Sequence, residues 1–322
     1  MAQPHRNQSA CGIGEGNKME AAVFHLLEFS PSHKVQTVHA VLLLVVYLAA
    51  LMGNLLIFML TVLDARLQTP MYFFLRNLSF LDFCYISTTV PKSIVNSFTH
   101  DSSISVSGCA LQVFFIIDLG FTEMAILTSM ACDRYVAICQ PLHYAAIMEH
   151  GACVKMVALS WLSGVVSGLT HVAAMFSLPF CGSNQVHQFF CDVPQLLSLL
   201  DSKVIINEIR VIVFITCLVI ICFALITLSY VYIFSTIMRI PSKEARSKTF
   251  STCIPHLVVV MLFLTSGSVA YVKPVSSSPS FVDLLLPVFY TIVPPTLNPI
   301  IYSLRNRDIK VALGRQCVRE TD

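Results

Sequence analysis

Charge is what this sequence most lacks. Of its 322 residues only 12% are Asp, Glu, Lys or Arg, about half the roughly 25% of a soluble domain. That scarcity, with 56% hydrophobic residues and a mean hydropathy of +0.75, excludes an ordinary soluble fold. The net charge is +2, and the cations are scattered over short segments with no single basic patch, which does not suit nucleic acid as a partner. Absent too is a nucleophile elbow, a zinc motif or a phosphate loop, and an enzyme is not expected. The first residues, "MAQPHRNQSACGIGEGNKMEAAVFHLLEF", contain no apolar core of leader length, so the first spanning helix is expected to act as the insertion signal. No internal repeat is visible, as paired broken helices in a transporter would require.

What is present is a set of long apolar runs. A bilayer core of about 30 Å needs about 20 mostly apolar residues per helix, and seven stretches qualify, at roughly 37–62, 71–96, 107–139, 152–175, 207–238, 249–272 and 282–303. The expected fold class is therefore an all-α membrane protein, a bundle of seven transmembrane helices. Pro255 and Gly267 in the sixth and Pro294, Pro295 and Pro299 in the seventh predict kinks there. Seven of the twenty basic residues (Arg6, Lys18, Lys34, Lys92, Lys203, Arg210 and Lys273) fall on one side and the rest on the other. An excess of cations marks the cytoplasmic side, which places the N-terminus outside and the basic C-terminus inside. The sequon Asn7-Gln8-Ser9 then faces the glycosylating compartment, and Asn7 is a candidate glycosylation site. Of the twelve cysteines, Cys11, Cys109, Cys181 and Cys191 fall on the outer, oxidising side, and Cys317 in the basic tail is a candidate for palmitoylation. The loop residues His187, Cys191 and Asp192 offer donor atoms for a metal, although a loop histidine is more often simply solvated.

An ionisable residue inside a bilayer costs at least ~2.5 kcal/mol near its centre and so tends to be functional. Asp82 and Glu123 are the deepest, with Asn54 and Asn298 on the first and seventh spans as polar neighbours. Two buried carboxylates repel. Either a sodium or other cation sits between them, or one is protonated and hydrogen-bonds the other. At ~100° per residue, Ile116, Gly120, Glu123, Leu127 and Arg134 share one face of the third helix. Its outer half is apolar around a glycine, and its inner half ends on a cation. The seventh span, Val282 to Ser303, has no lysine for a retinal Schiff base.

Five ordered segments, "PMYFFLRNLSFLD", "MACDRYVAICQPLHY", "LSYVYI", "KTFSTCIPHL" and "PPTLNPIIYSLRN", resemble the signature segments of olfactory receptors within the rhodopsin-like G-protein-coupled receptors. The resemblance runs from the first helix to the basic tail. It implies an extracellular tail at 1–36, a seven-helix receptor domain at 37–303 and a cytoplasmic tail at 304–322, in a multi-pass plasma-membrane protein surrounded by lipid. The partners it implies are a small volatile odorant and a heterotrimeric G protein of the stimulatory, olfactory type that raises cAMP. A receptor for another small ligand or lipid, and an ion-coupled transporter, are the alternatives. Arg134 would be the switch residue, held by Asp133 beside Tyr135 at rest and reaching toward Tyr230 on activation, with Asn298, Pro299 and Tyr302 moving in concert. Asp82 and Glu123 would form a cation pocket. Cys109 would pair with Cys191. The ligand pocket would be lined by Val113, Ile116, Ile117, Gly120, Phe121, Phe214, Leu218, Gly267, Tyr271 and Thr291, a mostly apolar set suited to a hydrophobic ligand.

This sequence also departs from the family pattern. Cys132 replaces the tyrosine of "MAYDRY", Asp201 stands where a further loop cysteine is usual and leaves Cys181 without its partner, and Leu264 takes an aromatic position in the sixth helix. A start at Met19 would give a more typical tail and would remove Asn7. Asp118 lies sixteen residues before Arg134, two fewer than the amine-binding acid of aminergic receptors. That is a rotation of ~200°, and Asp118 is not expected to act as that counter-ion.

Overall fold

The computed structural model describes residues 23–27, 32–99, 101–177, 184–186, 188–199, 206–272, 281–305 and 307–319. Seven long helices dominate it: α1 (His33–Leu63), α2 (Pro70–Thr99), α3 (Val106–Cys139), α5 (His150–Phe176), α7 (Ile206–Met238), α8 (Lys243–Val272) and α9 (Phe281–Arg305). Between them lie two short helices, α4 (Tyr144–Ile147) and α6 (Val193–Leu197), and the chain closes with α10 (Arg307–Arg319). Among the described residues α1, α3, α5, α7 and α8 are long and apolar enough to cross a membrane.

Apolar side chains face outward as well as inward. Val38, Val45, Met52, Phe214 and Ile220 project from the bundle, while Asn54, Asp82, Glu123, His171, Glu208, His256 and Asn298 are buried. Lipid solvates the apolar outer faces, and polar groups turn inward to find partners.

Helix α9 is continuous through Pro287, Pro294, Pro295 and Pro299, and α8 through Pro255. Each proline leaves the carbonyl four residues earlier without its amide donor. For Pro299 that carbonyl belongs to Pro295, and it accepts instead from Asn54 Nδ2 on α1 at 2.8 Å. The backbones approach closely here. A Cβ on Gly53 would lie 3.1 Å from Pro299 Cβ, so "GN" on α1 forms a seat for the proline turn of α9.

The tail expected at 1–36 and the loops contribute a small sheet. Strands β1 (Val23–Leu26), β2 (Ser103–Ser105) and β3 (Gln185–Val186) lie in the order β2-β1-β3, with β1 antiparallel to β2 and parallel to β3. Its apolar side chains Phe24, Ile104 and Val186 join Cys109, Cys191 and Val113 in one buried cluster. At the other end α10 is amphipathic. Ile309 and Ala312 are buried, Asp308 accepts from Tyr72 at 3.0 Å, and Arg315 pairs with Asp64 at 2.9 Å.

Candidate functional site

Three polar layers are strung along α3. The first lies beneath the sheet. Cys109 and Cys191 are disulfide-bonded with Cα atoms 5.4 Å apart, and Gln112, one turn further along α3, holds both neighbours. Its Nε2 donates to Thr88 O at 3.1 Å, and its Oε1 accepts from Cys191 N at 2.9 Å. Phe189 and Phe190 pack with Ile116 and Tyr290, Ser93 Oγ donates to Phe189 O, and Tyr290 Oη donates to Asp192 Oδ2. The segment from Phe189 to Asp192 is thus inserted among α2, α3 and α9. Asp192 also caps α6, accepting from Val193 N at 2.8 Å. Burial pushes its carboxyl up to about 6, and the bonds from Tyr290 and Val193 limit that rise. With Cys191 in a disulfide and both Asp192 oxygens engaged, these two residues do not offer the metal site considered for this loop.

The expected ligand-pocket residues divide. Ile116 joins the phenylalanine cluster, while Val113 and Ile117 pack toward the disulfide. A Cβ on Gly120 or Gly267 would meet nothing within 4 Å, so both glycines border open space. Phe121 is buried, Leu218 half-buried, and Thr291 is fully buried with its hydroxyl spent on Pro287 O at 2.6 Å. Phe214 does not belong to the set. It is 60% exposed on the outer face of α7, whereas Ile212, two residues earlier, packs inward against the disulfide cluster. One helical position is a turn of ~100°, and a continuously apolar helix carries no pattern to fix its facing. The side chains of Tyr271 and Cys317, and Asn7, Cys11, Cys181, His187 and Asp201 altogether, lie outside the described residues.

The second layer is the carboxylate pair. Asp82 accepts both its bonds from Asn298 Nδ2, at 2.9 and 3.2 Å. Glu123 lies within electrostatic range of Asp82. Glu123 Oε1, Asn298 Oδ1 and Asn54 Oδ1 are buried oxygens without a hydrogen-bond partner. Oxygen donors of this kind suit a hard cation. Asn54 is chiefly structural, since both its donor bonds go to backbone, one to Pro295 O and one to Ala50 O.

The third layer is at the far end of α3. The Asp133–Arg134 pair expected at rest is not formed. Asp133 Oδ1 accepts instead from Tyr144 Oη at 2.8 Å. Neighbours in a helix point ~100° apart and do not face each other, so Asp133 reaches toward α4. Arg134 makes no ion pair or hydrogen bond among the described residues. Tyr135 accepts from Gln140 at 3.3 Å and packs edge-on against Tyr232. Tyr230 is bonded to His256 Nδ1 at 2.8 Å, and His256 Nε2 lies 2.9 Å from Leu127 O. A carbonyl can only accept, which assigns the ring proton to Nε2 and makes Nδ1 the acceptor for the tyrosine hydroxyl. Tyr302 Oη is buried without a partner. Cys132 and Leu264, both departures from the family pattern, simply pack against the main core.

The matching family model is that of the olfactory receptor, over residues 43–319. Human olfactory receptor 14L1 is 66% identical over 323 residues, covering 98% of this chain and 99% of its own length. The chain belongs to the olfactory receptor family. Human olfactory receptor 14A16 is 54% identical, over 90% of this chain and 94% of its own length. Squid rhodopsin, at 20% identity, superposes with a TM-score of 0.66 over 90% of this chain and 87% of its own, which supports the seven-helix fold. This receptor is accordingly a multi-pass membrane protein and not an enzyme. Sequence reasoning had singled out Asp82, Glu123 and Arg134 but missed Gln112, His256, Tyr144 and Tyr290. Gln112, His256 and Tyr290 work through partners at least 24 residues away in sequence, and Tyr144 through Asp133 eleven residues back. The one legible signal was that Gln112 and His256 are bulky polar residues inside apolar runs.

Proposed function

We propose that this receptor binds a small volatile hydrophobic odorant within the bundle and activates a stimulatory, olfactory-type G protein that raises cAMP. The N-terminus would be extracellular, as the cation asymmetry indicates, and the receptor would reside in the plasma membrane. The observation that carries the reading is the open space beside Gly120 on α3, one turn from Ile116 and beneath the inserted Phe189–Asp192 segment. An apolar ligand there touches α3 on the face that continues to Glu123 and Arg134.

In this reading the layers act in series. The ligand shifts the equilibrium by contacting one arrangement of the helices better than the other. A sodium ion held by Asp82 and Glu123, with Asn298 Oδ1 completing its oxygen donors, would neutralise the paired carboxylates and favour the resting arrangement. At the inner end, Tyr230 is occupied by His256, while Arg134 makes no hydrogen bond or ion pair among the described residues. Activation would exchange the first contact for one between Tyr230 and Arg134 and open the inner face to the G protein.

The test is a panel of volatile odorants on cells carrying a cAMP reporter, with surface labelling in parallel. A concentration-dependent response that is lost in Arg134→Ala at equal surface density is expected. Activation by non-volatile lipids or peptides alone, or ligand-independent ion flux in proteoliposomes, would overturn the reading.

A further inference from the structure

Where α7 ends and α8 begins, the two helices enclose a groove of about 470 Å³, within the size range of small-molecule sites. Its walls are Phe234, Ile237, Met238 and Phe250, and its rim carries Lys243 and Arg246. Met238 is 66% exposed and Phe250 44% exposed, so the groove is open and apolar at the end of two membrane helices. The surrounding charge is predominantly positive. Arg239 and Lys248 add to Lys243 and Arg246, against Glu244 as the one acid in the stretch from 239 to 250. Arg246 donates one bond, to Ile240 O at 3.0 Å, and its Nε is buried without a partner.

The apolar path continues along α8. Phe250 and Met261 are eleven residues apart, which returns them to within ~20° on the same face and spans about 16 Å, close to half the ~30 Å hydrocarbon core. Met261 is exposed and lines a second, shallower hollow with Leu257 and Val258. Cations at one end of a one-leaflet apolar stripe have the dimensions of a phospholipid with an anionic headgroup. We propose that the groove between α7 and α8 binds an anionic phospholipid, its phosphate at Lys243 and Arg246 and an acyl chain along the Phe250–Met261 face of α8. This occupant would bridge the helix bearing Tyr230 to the helix bearing His256.

The proposal is tested on the full-length receptor in nanodiscs of phosphatidylcholine containing phosphatidylserine, with retained lipid read by native mass spectrometry. Preferential retention of phosphatidylserine is expected, falling roughly thirtyfold in the Lys243→Gln/Arg246→Gln double variant and persisting in Lys248→Gln, which removes a charge outside the groove. Soluble glycerophosphoserine should not compete. A photoreactive benzoylphenylalanine replacing Phe250, with all cations intact, should capture phospholipid. Equal retention by the double variant, competition by the soluble headgroup, or capture of a G protein or a second receptor copy in place of lipid would overturn it. Neither odorant nor cAMP enters these measurements, so their failure leaves the odorant reading untouched, and the reverse.

Discussion

At the scale of single residues, the receptor is held together by side chains that repair broken backbone or bury a polar group beside its partner. Asp192 is the clearest titratable case. Its carboxyl is raised from near 4 to about 6, so between those pH values the folded state binds the proton that the unfolded state has released. Stability must therefore fall as pH rises through that window and level off above about 7. Two pH units correspond to roughly 3 kcal/mol at most. Thermal unfolding in nanodiscs should show this slope in the wild type and lose it in Asp192→Asn. An identical slope in both would show that Asp192 is not its source. Gly164 is a steric case. A Cβ there would sit 2.0 Å from Thr122 Oγ1 and 2.5 Å from the Asp118 backbone oxygen. The side-chain clash can rotate away but the backbone one cannot, so Gly164→Ala should cost about 1–3 kcal/mol in a thermal-shift assay even when combined with Thr122→Ala. The same contact explains Asp118, which faces α5 and bonds to Thr122 at 3.4 Å, away from the position of an amine counter-ion.

At the scale of elements, what was legible depended on whether the sequence carried a period. Seven helices follow from length and hydropathy, and the α3 face follows from polar residues that break its apolar run: Glu123 is buried and Arg134 half-buried where that stripe places them. Helix α7 had no such marks around Phe214, and its facing was misread. Strand β1 is four residues long and gains its order from the strands that flank it, a non-local pairing that no local pattern announces. Helix α10 looked like a basic tail because its apolar face is only Ile309, Ala312 and their neighbours, yet Asp308 and Arg315 tie it back to the bundle. The α1–α9 seat gives the prediction at this scale. Asn54→Leu keeps the number and branching of the side-chain heavy atoms but leaves the Pro295 carbonyl without its donor, and an unsatisfied buried group costs about 1–3 kcal/mol. Surface expression and thermal stability should drop together. Unchanged values for both would mean that another group satisfies that carbonyl.

At the scale of the whole molecule, the exposed apolar faces describe a protein whose solvent is lipid, and the buried polar groups form a column through it. The column begins at a disulfide-tied segment inserted among α2, α3 and α9, passes the Asp82–Asn298 contact, and ends at Arg134 beside the Tyr230–His256 bond. That Asp133 bonds to Tyr144 and not to Arg134 was the part least legible beforehand. Adjacent residues suggest a pair by spelling alone, whereas helix geometry sends Asp133 to Tyr144 and leaves Arg134 for α7 and α8. We propose that an apolar ligand beside Gly120 drives this column. The most direct measurement is the odorant dose–response of Gly120→Leu against wild type in a cAMP reporter at matched surface density. A side chain filling that space should abolish the response or shift its midpoint by at least about tenfold, on the order of 1.4 kcal/mol. An unchanged midpoint and maximum in the leucine variant would contradict the claim.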